Sequence, residues 1–78
     1  MDQHLYDRLF EEFVKSIVEI IKQKGIKTAK ELKDIVRKNI NRVDLRLARV
    51  VMVNNMRFGA FLDDTYESVG LATNIVID

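Results

Sequence analysis

Residues 28–57, TAKELKDIVRKNINRVDLRLARVVMVNNMR, contain the signals from which the fold of this chain is predicted. Thr28 is followed three residues later by Glu31. This is the pattern of a capping box, in which the Thr hydroxyl accepts a hydrogen bond from the Glu N–H and the Glu side chain returns one to the Thr N–H. The pair predicts that a helix begins at Thr28.

A second, weaker cap follows in the same stretch, where Asn41 precedes Asp44 by three residues. We therefore expect the chain to break around residues 39–41 and to continue as a second helix from Arg42 to about Met56. Two short capped helices in tandem predict a helix-turn-helix. The second helix also contains β-branched residues, which lower helix propensity: Val50, Val51 and Val53.

The basic residues of these helices repeat at helical spacing. One set of three occupies a face of the first helix, and a second set, at positions i, i+4 and i+7, forms a stripe on the second helix. Such residues can bind the phosphates or base edges of duplex DNA. The alternative is a solvated surface without a partner. The candidate nucleic-acid-binding residues are Lys30, Lys33, Arg37, Arg42, Arg46 and Arg49.

The charge of the chain is divided into three blocks. Residues 1–21 carry two basic and five acidic groups, residues 22–49 carry ten and three, and residues 50–78 carry one and four, so that the net charges are −3, +7 and −3. The overall net charge of +1 hides this asymmetry. A basic centre between acidic flanks favours an anionic partner for the centre.

Length and composition predict one small globular domain that spans residues 1–78. Hydrophobic residues make up 47% of the chain and charged residues 32%, and no apolar run is long enough to cross a bilayer. The chain has no cysteine, which excludes disulfides and cysteine metal sites, and no basic-then-apolar leader is recognisable. We therefore expect a cytoplasmic protein without a membrane partner.

The residues that precede the central stretch predict a long first helix, from Leu5 to Lys24, with an unusually wide apolar face. A helix this apolar either packs against elements on two sides or offers one edge to a partner. Gly25 is predicted to end the helix in a left-handed conformation. Ile26 follows as an apolar plug that can also form a single strand pair.

Beyond the two central helices the pattern changes. Phe58, Ala60 and Leu62 alternate with other residues, a polar segment at residues 63–65 follows, and residues 66–72 form a second run. This pattern predicts two strands joined by a turn, with Phe58 and Leu62 buried and residues 63–65 exposed. The alternative is a helix whose buried face contains Phe61, Leu62, Tyr66 and Val69.

Two further predictions concern apolar residues. Residues 74–78 include three β-branched apolar side chains, which predict an added strand, a segment that docks on a partner, or the point at which a longer protein was truncated. Met52 and Met56 are predicted to fill the core.

Three helices followed by a hairpin form a winged helix, so the predicted fold class is α+β, a small winged helix-turn-helix. Residues 13–32, FVKSIVEIIKQKGIKTAKEL, resemble the first helix, turn and second helix of the HARE-HTH winged-helix family, in particular its delta-subunit members in bacterial RNA polymerase. Residues 55–71, NMRFGAFLDDTYESVGL, resemble the Arg-Phe strand, acidic turn and Gly-Leu strand of the same family. The resemblance implies a role in transcription with RNA polymerase as the partner.

No constellation of catalytic or metal-binding residues is recognisable, and we expect a protein that is not an enzyme and has no cofactor or metal. Asp63 and Asp64 lack the spacing of a calcium loop and indicate a turn. The first functional hypothesis is a transcription-associated module that binds RNA polymerase, duplex DNA or both through its basic central helices. The alternative is a protein-interaction or inhibitor module, of host or viral origin, that does not bind DNA directly. The sequence leaves the oligomeric state open.

Overall fold

The structure, a computed structural model, describes residues 3–54 and 57–76. These residues form four α-helices and a short 3-10 helix, and they include no β-strand. The predicted α+β class and its wing are therefore wrong, because the residues assigned to the hairpin form a helix. In chain order the helices are α1 (Gln3–Lys24), α2 (Ala29–Asn39), the 3-10 helix (Ile40–Arg42), α3 (Leu45–Val53) and α4 (Phe58–Thr73).

Helix α1 lies at the centre and packs against α2, α3 and α4, while α2 also packs against α4. Of the two predicted uses of its wide apolar face, the structure supports packing on several sides. Burial of a side chain of this size contributes about 1.5 to 3 kcal/mol, so this face supplies much of the stability of a small domain. The buried residues of α1 are Leu9, Phe13, Ile17, Val18 and Ile21.

Helix α1 ends at Gly25, as predicted, with a left-handed φ of 68°. The Ile26 N–H donates to the Ile21 carbonyl at 3.2 Å, and the Gly25 N–H donates to the Lys22 carbonyl at 3.3 Å. These two bonds form a Schellman motif, which satisfies carbonyls at the helix end. Ile26 packs half-buried against the core and belongs to no strand.

The cap of α2 is confirmed, because the Thr28 hydroxyl accepts a hydrogen bond from the Glu31 N–H at 3.3 Å. The predicted break after α2 is also confirmed, since the chain there forms the 3-10 helix. The predicted start of the next helix at Arg42 is wrong. Asp44 is the N-cap of α3, and its carboxylate accepts from the Arg46 N–H at 2.7 Å.

Helix α3 ends at Val53, earlier than predicted, and the Asn54 side-chain amide donates to the Val50 carbonyl at 2.8 Å. Such local side-chain hydrogen bonds compete with helix continuation. Met52 was predicted to lie in the core and is instead 74% exposed. Met56 lies outside the described residues.

Helix α4 forms because its buried residues repeat every helical turn, at Phe61, Thr65 and Val69. Phe61 stacks against Phe13 of α1 with ring centroids 6.1 Å apart, and the Thr65 hydroxyl donates to the Phe61 carbonyl at 2.9 Å. The alternative helical prediction is therefore confirmed. Phe58, predicted to be buried, is 59% exposed, whereas Thr65, predicted to be exposed, is fully buried.

Helix α4 ends at Thr73 and is capped by Asn74, which has a left-handed φ of 60°. The Ile75 N–H donates to the Gly70 carbonyl at 3.0 Å, and Ile75 packs half-buried against the core. Residues 74–76 thus close the helix and do not add the predicted strand; residues 77 and 78 lie outside the described residues. Leu62, also predicted to be buried, is half-buried.

Candidate functional site

The six basic residues predicted to bind nucleic acid lie on three different elements. Lys30, Lys33 and Arg37 belong to α2. Lys30 and Arg37 are exposed, and Lys33 is half-buried. Arg42 belongs to the 3-10 helix, so the predicted stripe at i, i+4 and i+7 is broken. The remaining two residues, Arg46 and Arg49, are exposed on α3.

Arg46 is neutralised by a neighbour in sequence. Its Nε donates to Oδ1 of Asp44 at 3.1 Å and its Nη2 donates to Oδ2 at 2.9 Å. The hydrogen bond and charge of Asp44 raise the pKa of Arg46, with a smaller contribution from Glu12 on α1. Arg46 is thereby tied to the start of α3, which makes it less suited than Arg49 to bind an external anion.

Two of the α2 residues contact α4 through one tyrosine. The Arg37 Nε donates to the Tyr66 hydroxyl at 3.3 Å, and the Lys33 Nζ lies 5.9 Å from the centre of the Tyr66 ring. Tyr66 is a buried residue, with 7% of its surface exposed. We call Lys33, Arg37 and Tyr66 the Tyr66 cluster.

An apolar groove with a volume of about 370 Å³ lies between α3, the 3-10 helix and the start of α4. Several of its side chains are largely exposed, and Leu45 has 76% of its surface in solvent. The sequence predictions missed this groove, because Met52 and Phe58 were assigned to the core. We call it the α3–α4 groove; its lining includes Ile40, Val43, Leu45, Met52, Phe58 and Phe61.

The groove exists because α3 has more apolar surface than its neighbours cover. Seven of the nine residues of α3 are apolar, yet its buried residues are Leu47 and Val51. A helix with this much apolar surface is ordinarily buried on most of its sides. Helix α3 instead packs mainly against α1, which leaves its remaining apolar side chains in solvent.

Three exposed arginines border the α3–α4 groove in sequence. Arg42 is flanked by two lining residues, Asn41 and Val43. Arg49 lies one helical turn after the lining residue Leu45. Arg57 immediately precedes Phe58 at the start of α4. None of the three arginines forms an ion pair within residues 3–54 and 57–76. We call Arg42, Arg49 and Arg57 the arginine rim.

Two other features, a metal-binding cluster and a membrane-spanning helix, have no support in the described residues. Within the described part of the chain, no three His, Cys, Asp or Glu side chains are grouped so that they could hold a metal ion. None of the helices in these residues has the length and apolar character needed to cross a membrane. Asp63 and Asp64, predicted to form a turn, are exposed residues of α4.

Comparison of the chain with protein-family models, with curated proteins and with solved structures finds no match. The resemblance to the HARE-HTH family therefore stays a prediction. The segment that resembles two strands and an acidic turn lies almost entirely in α4 wherever it is described. The groove and the charges around it are consequently the basis on which a function is inferred.

Proposed function

We propose that the chain is a protein-interaction module that binds an acidic amphipathic helix of another protein in the α3–α4 groove. The observation that carries this proposal is the contiguous apolar surface formed by Leu45, Met52 and Phe58, each of which is more than half exposed. Apolar surface gathered in a groove usually marks an interaction site, whereas scattered exposed apolar residues do not. The proposal develops the second of the two hypotheses from the sequence, a non-enzymatic interaction module that does not bind DNA directly.

The spacing of the exposed residues favours a helical partner. Leu45 and Met52 are seven residues apart in α3, which places them two turns and about 10 Å apart along the helix axis. A partner helix that lies in a groove presents apolar anchors at i, i+3 or i+4, and i+7, over the same length. Helix α3 and such a partner can therefore bury their apolar rows against each other.

The arginine rim favours an acidic partner. Asp44 is the acidic residue nearest to the groove in sequence, and its carboxylate is already bound to Arg46. The arginine rim consequently makes the sequence neighbourhood of the groove positively charged. Charges of opposite sign on the flanks of a partner helix would accelerate association and fix its orientation.

The same rim argues against a second copy of the chain as the occupant. In a dimer with twofold symmetry the same surface meets itself. The positive charges of Arg42, Arg49 and Arg57 would then be gathered at one interface with those of the second copy, and like charges brought together at an interface are unfavourable. A partner of different sequence and opposite charge avoids this repulsion.

The test uses two designed fluorescent peptides that share leucines at i, i+4 and i+7 and differ in their flanking residues, Glu in one and Lys in the other. We expect saturable binding of the Glu peptide, at least about tenfold tighter than binding of the Lys peptide. Arg49→Gln should weaken binding of the Glu peptide and leave binding of the Lys peptide unchanged or slightly tighter. Absence of saturable binding by either peptide overturns the proposal. A dimer in light scattering that Leu45→Asp dissociates would identify a second copy as the occupant instead.

Duplex DNA is the second candidate ligand, favoured by the net charge of +7 on residues 22–49. Phosphate contacts make the logarithm of the affinity fall with the logarithm of the salt concentration, with a slope near −0.9 per phosphate. If DNA is the ligand, replacing Arg42, Arg46 and Arg49 by Gln should flatten that slope by up to about three contacts. Peptide binding through the apolar groove should respond much less to salt.

RNA polymerase, the partner that the HARE-HTH resemblance implies, stays a prediction. A polymerase subunit that presents an acidic amphipathic helix would fit the proposed groove. The peptide experiment addresses the chemistry of the groove without depending on that identity.

A further inference from the structure

The Tyr66 cluster, where α2 meets α4, has the properties of a second binding site that is independent of the α3–α4 groove. Lys33 and Arg37 are four residues apart in α2 and therefore lie on the same face of the helix. Both approach the same phenol, Arg37 through its Nε and Lys33 above the ring. Two positive head groups are thus gathered around one tyrosine.

Within the described residues, no ion pair joins these two positive charges to a carboxylate. Like charges at i and i+4 destabilise a helix by a few tenths of a kcal/mol unless an anion neutralises them. Asp34 and Asp63 are exposed acidic residues near the cluster in sequence, and neither forms an ion pair with it. The two cations therefore contribute a charge of about +2 that no ion pair neutralises.

The Tyr66 hydroxyl adds a donor to these two cations. It accepts a hydrogen bond from Arg37, which uses an oxygen lone pair and leaves the hydroxyl proton free. No hydrogen bond within residues 3–54 and 57–76 uses that proton. The Arg37 bond itself, at 3.3 Å, is slightly longer than the usual range of about 2.7 to 3.2 Å, so the guanidinium can turn toward a ligand at small cost.

We propose that Lys33, Arg37 and Tyr66 bind a phosphate monoester group. The Arg37 guanidinium offers paired N–H donors that match two phosphate oxygens, the Lys33 ammonium supplies a second charge, and the Tyr66 hydroxyl donates to an oxygen. A monoester carries nearly two negative charges at neutral pH, which equals the charge of the two cations. A phosphodiester carries a single charge and is the poorer match.

The test is an NMR titration of the whole chain at constant ionic strength with three probes: inorganic phosphate, phenyl phosphate and dimethyl phosphate. We expect the Arg37 Nε–H resonance to shift and saturate with phenyl phosphate. Inorganic phosphate should bind about as well if the free ion is the natural ligand, and about tenfold more weakly if the ester group contributes. Dimethyl phosphate should bind more weakly than phenyl phosphate in either case.

The variants separate a built site from general attraction to positive charge. Tyr66→Phe keeps the ring and removes the donor. It should weaken the affinity for phenyl phosphate about tenfold, which is equivalent to about 1.4 kcal/mol for one hydrogen bond to a charged group. Arg37→Gln should weaken it at least as much. Arg42→Gln removes the same charge elsewhere and should change the affinity less than about twofold. The proposal is overturned if Arg42→Gln weakens binding as much as Arg37→Gln, if no probe saturates, or if dimethyl phosphate binds as tightly as phenyl phosphate.

Discussion

Helices α2 and α3 are neighbours in the chain, and each begins at a side-chain cap, Thr28 for α2 and Asp44 for α3. They use their apolar residues differently. In α2, Leu32 and Val36 have no surface in solvent, whereas in α3 Leu45 is 76% exposed. The difference follows from their neighbours, because α2 is covered by both α1 and α4 while α3 packs mainly against α1.

The comparison shows that an apolar helical face can serve two purposes in one small domain. The face of α2 stabilises the fold, since its burial removes apolar surface from water. The exposed face of α3 contributes little to the fold of the isolated chain. It is therefore free to contribute to binding, where covering the same surface would stabilise a complex.

The largest expected effect separates the two helices by their contribution to stability. Leu32→Ala should lower the free energy of unfolding by about 3 kcal/mol, because it removes a fully buried side chain and leaves a cavity. Leu45→Ala, the same change on an exposed side chain, should lower it by less than about 0.5 kcal/mol. Urea melts of the two variants measure this difference. Similar losses would show that Leu45 is packed as deeply as Leu32.

A smaller effect is expected from the cap of α2. Thr28→Ala should lower the free energy of unfolding by about 1 kcal/mol, because the Glu31 N–H loses its acceptor. Glu31→Ala should cost less, since within the described residues the Glu31 carboxylate makes no return hydrogen bond to the Thr28 N–H. Urea melts again provide the measurement, and equal, negligible effects would show that the cap does not stabilise α2.

The smallest effect concerns pH and the cap of α3. Hydrogen bonds from the Arg46 side chain and backbone hold the pKa of Asp44 below its ordinary value of 3.8. Because the folded pKa is the lower one, this cap stabilises the fold above pH 3.8, and the contribution is lost as the pH falls through the folded pKa. Asp44→Asn keeps a capping side chain without the titration. Stability measured across this pH range should therefore fall less in the variant than in the parent, and an identical fall would contradict the role of Asp44.

The first half of the fold could be predicted from sequence because its signals are local. The Thr28 cap and the left-handed Gly25 each depend on a few neighbouring residues, and both occur where they were predicted. Helix α4 was predicted only as the alternative to a hairpin, for the opposite reason. Three alternating residues are too short a pattern to exclude a helix, and the decisive contact, Phe61 against Phe13, joins residues far apart in the chain.

The site was predictable in its residue types and not in its contacts. The positive charge of α2 and α3 is visible in the sequence, but the pairing of Arg46 with Asp44 and of Arg37 with Tyr66 depends on side-chain geometry. The α3–α4 groove could not be predicted, because exposure of Met52 depends on which helices cover α3. A helix with mostly apolar residues indicates burial, and only the packing shows whether the chain itself provides it.

The most direct test of the α3–α4 groove compares two leucines with the same exposure. Leu45 lines the groove and is 76% exposed, while Leu71 near the other end of α4 is 75% exposed and does not line it. Leu45→Asp should weaken binding of the acidic amphipathic peptide by at least about tenfold, because it places a charge on the apolar floor. Leu71→Asp should bind the peptide like the parent, and both variants should unfold in urea like the parent. Equal affinities of the two variants, with both chains folded, would contradict the assignment of α3 as the docking surface.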